Sequence, residues 1–190
     1  MLNFFKEVFK KGELRRKVVF TLGILFVFRL GAGIVIPYID TSAITSAATS
    51  SGIFGIMNML GGGTLEKFSL FSLGVSPYIT SSIIIELLSM DVVPALTQWN
   101  KEGNTGKKKK DKVTRVLTLA LAIIQGGSLT YAFDKGYSIL ASSSIWTYVY
   151  VVVVMAAGSM FTMWLGDQIT IKGVGNGTSL LIFTGIVANL

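Results

Sequence analysis

Of 190 residues, 51% are hydrophobic and 14% are charged. Soluble domains carry about 25% charged residues, so the long uncharged stretches here point to lipid rather than to a large soluble core. There is no cysteine and no histidine, which excludes disulfides and thiolate metal sites and removes the commonest general base and zinc ligand. Net charge is +7 and unevenly placed: six Lys/Arg precede the first apolar stretch, seven lie between Lys101 and Arg115, and four are shared by the rest.

Residues 1–17 carry Leu2, Phe5, Val8 and Phe9 on one helical face with lysines opposite. This predicts either a basic amphipathic helix on the membrane surface or a solvated positive flank. A first span follows over about 18–36, about 28 Å of helix against a hydrocarbon core of about 30 Å. A basic flank before an apolar run also fits a signal peptide cleaved near Ser46-Ala47-Ala48, but Arg29 interrupts the run and Pro37 ends it. Arg29 should face protein or water. Residues 38–67 are small, polar and glycine-rich, with a short apolar piece at Phe54–Leu60 that cannot span.

A second apolar stretch, 68–93, is interrupted at Gly74 and Pro77, where Ser76-Pro77 reads as an N-cap and first helical residue. A helix starting inside a bilayer leaves backbone groups that lipid cannot satisfy, so such a break lines a cavity or is covered by protein. An ordinary kinked span is the alternative. Residues 95–115 read as a strongly basic cytoplasmic loop with Lys101, Lys107, Lys108, Lys109, Lys110, Lys112 and Arg115. Its lysines act as an orientation signal, or bind anionic lipid or ribosomal RNA. Spans over about 116–133 and 146–165 follow. Trp146 and Trp164 stand about 27 Å apart, the separation of two aromatic belts. The flanks place 1–17 and 95–115 in the cytoplasm. Thr178–Leu190 would reach about 20 Å, which leaves a re-entrant piece or, as favoured here, a fifth span cut short.

Other motifs fail. Gly103-Asn104-Thr105-Gly106-Lys107 lacks phosphate-loop spacing, and Gly173-Val174-Gly175-Asn176-Gly177 joins two helices rather than a strand and a helix. Asn176-Gly177-Thr178 is a formal glycosylation sequon on the predicted cytoplasmic side. Glu86 and Asp91 lie about 140° apart around a helix and share no face. No catalytic residue, metal site or cofactor is expected, and enzyme classes drop out. A broken helix also suits half of an inverted-repeat solute transporter, which would require coordinating or ionisable groups at the break.

The residues Phe28-Arg29-Leu30-Gly31, Leu73-Gly74-Val75-Ser76-Pro77-Tyr78-Ile79 with Ser82-Ile83-Ile84-Ile85, Lys101-Glu102-Gly103 and Met163-Trp164-Leu165-Gly166-Asp167-Gln168-Ile169-Thr170, leading into Gly175-Asn176-Gly177, occur in that order. Together they resemble the N-terminal half of the SecY family, the channel subunits of the bacterial protein translocon. The resemblance implies an all-α, polytopic transmembrane helix bundle, half of an inverted-repeat channel with a broken second helix and a plug. The spans would be about 18–36, 73–92, 116–133, 146–165 and a partial 178–190 within one unit, 18–190.

The resemblance also implies roles for particular residues. Val75, Ile79, Thr178 and Ile182 would form part of a pore ring, although Thr178 stands where a large aliphatic group is usual. Residues 54–67 would be the plug, with Phe54, Ile56, Met57, Met59, Leu60, Gly61, Gly62 and Gly63. Ser82, Ile85 and Gln125 would belong to a lateral gate, and Glu86 stands where a neutral glutamine is common. The implied setting is the bacterial cytoplasmic membrane. The implied partners are SecE, SecG, the SecA ATPase, the ribosome, signal peptides of secretory preproteins, the lipid bilayer, and the C-terminal half of the channel or a second copy of this half.

Overall fold

A computed structural model describes residues 12–39, 68–90, 92–140 and 144–187, apart from the side chains of Asn100, Asn104 and Tyr137. These residues contain six helices: α1 (Gly12–Ala32), α2 (Ser76–Leu88), α3 (Pro94–Lys101), α4 (Asn104–Tyr137), α5 (Ile145–Lys172) and α6 (Gly177–Val187). Two stretches, Thr105–Gly136 and Ile145–Lys172, are long and apolar enough to cross a membrane.

Several boundaries differ from those expected. The predicted surface helix lies mostly outside the described residues, and its last part, Gly12–Lys17, is the first turns of α1. The first helix ends at Ala32, before Pro37, because the chain then turns to meet the second apolar stretch: Ile36 N–H donates to Phe68 O at 3.1 Å and Leu70 N–H to Ile34 O at 2.9 Å. Residues 95–115 are not a loop. Lys101 closes α3, and Lys107–Lys110, Lys112 and Arg115 lie on α4, since lysine is a good helix former and only Gly103, at φ 64°, interrupts. Gly106 lets the start of α4 press on the Trp99 backbone, and Lys109 pairs with Glu102 at 2.9 Å across the turn. Val151–Val154 is helical, as an uncharged span requires despite its strand propensity.

Two apolar cores hold the bundle. One gathers Phe68, Leu73, Phe133, Ile139, Val151 and Met155, where α4 meets α5. The other gathers Ile24, Phe28, Phe71, Val75, Ile169 and Leu181, joining α1, α5 and α6. Polar side chains also tie the helices to one another. Asp134 accepts from the Tyr148 hydroxyl at one end of the α4–α5 pair, and Arg115 reaches Asp167 at 2.8 Å at the other. Midway between α2 and α4, Ser81 and Thr118 share a buried hydroxyl–hydroxyl hydrogen bond of 2.6 Å. Such bonds between membrane helices are modest, so a double-mutant cycle with Ser81→Ala and Thr118→Val should give a coupling of about 0.6 kcal/mol in denaturation experiments. A coupling of zero would mean that the two hydroxyls do not hydrogen-bond to each other in the membrane.

Candidate functional site

The second apolar stretch is helical only from Ser76; Phe68–Val75 runs in turns. Gly74, at φ 52°, takes the left-handed conformation that a glycine accepts without a Cβ clash. Ser76 N–H then closes back on Leu73 O at 3.2 Å, so Val75 rather than Ser76 is the N-cap, and no side chain caps the helix. Pro77 fits the first turn because its missing N–H would have no partner there. The turn is packed against α5. Ser159 Oγ donates to Gly74 O at 3.0 Å, and the Leu70 carbonyl rests on Gly158, where any Cβ would collide with it.

Helix α6 is seated with similar economy. Asn176 Oδ1 accepts from Ser179 N–H at 3.2 Å, Thr170 Oγ1 accepts from Gly177 N–H at 2.9 Å, and Gly177 lies directly on the Gly166 backbone. This fixes the direction in which Ile182 projects.

Between the turn, α1, α4 and α6 lies a cavity of about 520 Å³. Val75 and Ile79 line it from the break, Ile124, Gln125 and Leu129 from α4, Leu181 and Ile182 from α6, and Phe28 from α1. Its polar side chains are Ser72, Ser76, Gln125 and Ser128, and among the described residues no charged one lines it. An aliphatic wall with four neutral polar groups offers no general acid, no general base and no cation ligand set. Among the described residues it therefore lacks the ionisable groups that a solute-transporter reading requires.

Of the residues singled out from sequence, the structure brings Val75, Ile79, Gln125 and Ile182 to one cavity. Thr178 does not join them. It lies against Gly166, because close packing of Gly177 turns the first residues of α6 towards α5. Ser82 and Ile85 are also absent from the lining, and Ile85 is buried. Phe54 to Gly63 fall outside the described residues. Arg29 is exposed on α1.

Sequence reasoning missed Phe28, Leu181, Gly158 and the Ser159 contact. The small run Ala156-Ala157-Gly158-Ser159 inside a bulky span was the available signal, since small residues mark close helix approaches in membranes. Behind the cavity, four rings stack from Phe28 to Phe71 (5.5 Å, 4°), Phe161 (6.0 Å, 23°) and Trp164 (5.7 Å, 20°). Gly31 leaves the space that the Phe71 ring occupies.

The SecY family profile matches residues 69–190. The chain belongs to the SecY family. It is 45% identical over 192 residues to protein translocase subunit SecY 1 of Lactobacillus kefiranofaciens subsp. kefiranofaciens and 42% identical over 192 residues to protein translocase subunit SecY of Bacillus subtilis (strain 168). Each alignment covers 100% of this chain and 44% of the relative, so the chain spans less than half the length of these SecY proteins. The fold is that of Sec61 in the canine ribosome–channel complex from the endoplasmic reticulum and of a structure described as a protein-conducting channel. Both align with a TM-score of 0.64 at 17% identity, over 91% of this chain and 36% of theirs.

Proposed function

We propose that this chain forms one half of a protein-conducting channel that moves secretory proteins across, and inserts membrane proteins into, the bacterial cytoplasmic membrane. The observation that carries the proposal is the convergence of Val75, Ile79 and Ile182, with Gln125, on a cavity whose described lining is uncharged, beside a helix start. An aliphatic waist resists wetting, and an ion entering it loses hydration without compensation. Branched side chains can yield around an extended polypeptide and close again behind it. The chain acts as a conduit, with no chemical step of its own.

In this reading Val75, Ile79 and Ile182 form the half-ring, and residues 54–67 the plug. Helix α2, with Ser82 and Ile85, and α4, with Gln125, form one side of a lateral gate. The N-terminus and the basic start of α4 face the cytoplasm. Helix α4 is about 51 Å long, more than a bilayer core of about 30 Å needs, so its lysine-rich first turns stand in the headgroups and beyond. The missing wall comes from a C-terminal half or a second copy, SecE and SecG brace the assembly, and SecA or the ribosome delivers the preprotein.

The test is site-specific crosslinking of a stalled secretory chain to photoreactive groups at positions 75, 79 and 125 in the complete channel. Adducts at all three, and none from an outward-facing position such as 83, are expected. No adduct at any of the three would reject the proposal.

A further inference from the structure

The break before α2 is held from outside itself. Hydroxyls inside a helix ordinarily return to the carbonyl four residues back, and Thr114, Thr118, Thr130, Thr162, Thr170 and Thr184 do so here. Ser159 instead donates to Gly74 O, a residue 85 positions away, and its side chain is fully buried. Gly74 carries the left-handed conformation that turns the chain into α2, and Val75, the next residue, lines the cavity. One residue before Ser159, Gly158 admits the Leu70 carbonyl to a place that no other amino acid could leave open. Two adjacent small residues of α5 thus grip the turn at two separate carbonyls.

We infer that Gly158 and Ser159 are positioning residues for the constriction: they fix the turn Phe68–Val75 so that Val75 and Ile79 close the cavity. The inference rests on the channel reading for its function, but the geometry it describes can be tested without any translocating chain. In a turn with no side-chain cap, loss of the Ser159 hydroxyl leaves the Gly74 carbonyl without this donor in an apolar setting. The turn then samples displaced arrangements more often, and the wall it presents opens while α6, seated separately by Thr170 and by Gly177 on the Gly166 backbone, stays in place.

These 190 residues contain no cysteine, so a single cysteine placed here reports from one known position once any cysteine in the rest of the channel is replaced. Val75→Cys, Ile79→Cys and Ile182→Cys would each be placed in the complete channel in membrane vesicles, with and without Ser159→Ala. The rate of modification by a water-soluble maleimide would be measured without preprotein. Ser159→Ala adds no bulk, so assembly should be retained. Expected is a rise of about fivefold at positions 75 and 79, the population change that one lost hydrogen bond produces, with a clearly smaller rise at position 182, which shares the cavity but sits on the fixed α6. Equal acceleration at all three positions would indicate general loosening and overturn the inference. Unchanged rates at 75 and 79 would also overturn it. Failure of the channel reading itself appears elsewhere, as absent preprotein adducts, and leaves these rates unaffected.

Discussion

Replacing Ile79 and Ile182 together by asparagine is expected to raise the resting ion permeability of the assembled channel at least about tenfold. The two side chains reach the cavity from different helices, and both belong to its uncharged, mainly aliphatic wall. An amide in place of each butyl group gives water a hydrogen-bonding foothold, and a wetted passage lowers the desolvation barrier that holds ions back. A fall in that barrier of only about 1.4 kcal/mol suffices for a tenfold change in rate. Collapse of a potassium gradient across channel-containing vesicles would measure it. Ile83→Asn serves as the control, because Ile83 is 53% exposed on the outer side of α2. If the double substitution left the gradient intact, the cavity would not lie on the ion path.

Adding a single methyl group at Gly177 should cost about 2–3 kcal/mol, the upper part of the range for overpacking a rigid contact. The obstacle is the Gly166 backbone, which cannot rotate away as a side chain would. To accept Gly177→Ala, α6 must lift from α5, which loosens the Thr170 contact and carries Ile182 out of register with Ile79. Thermal precipitation of the detergent-extracted channel should show a clear fall in transition temperature. Gly127→Ala, on an α4 face with open space beside it, should be neutral or slightly stabilising. Equal transition temperatures for the two variants would show that α6 is not held by backbone contact.

The sequence made the two long apolar spans within α4 and α5 and the helix start near Pro77 legible, because both follow from strong local signals: absence of charge over long runs, and a proline that tolerates only a first turn. The gathering of Val75, Ile79, Gln125 and Ile182 came from family resemblance, since nothing in local periodicity distinguishes a cavity-lining isoleucine from one that meets lipid. The basic segment was misread as a loop because charge density says where a segment lies relative to the membrane, not which backbone conformation it takes. Thr178 lies away from the cavity lining for a reason of a different kind. Its orientation is set by Gly177 on Gly166, a contact between two residues without side chains that leaves no trace in a hydrophobic pattern. The grip of Ser159 on Gly74 was equally silent, being a bond between segments 85 residues apart.

The ring stack behind the cavity has a mechanical consequence. Phe28, Phe71, Phe161 and Trp164 lie nearly parallel, tilted by 4°, 23° and 20° from one ring to the next. Flat faces in contact can slide by a fraction of a ring width while keeping most of their dispersion attraction, whereas tilting wedges them apart. The seam between α1 and α5 is therefore compliant in one plane and stiff out of it. A chain forcing its way past Phe28 would meet a wall that shears sideways like a deck of cards, and the displacement would surface at the exposed edge of the Trp164 indole.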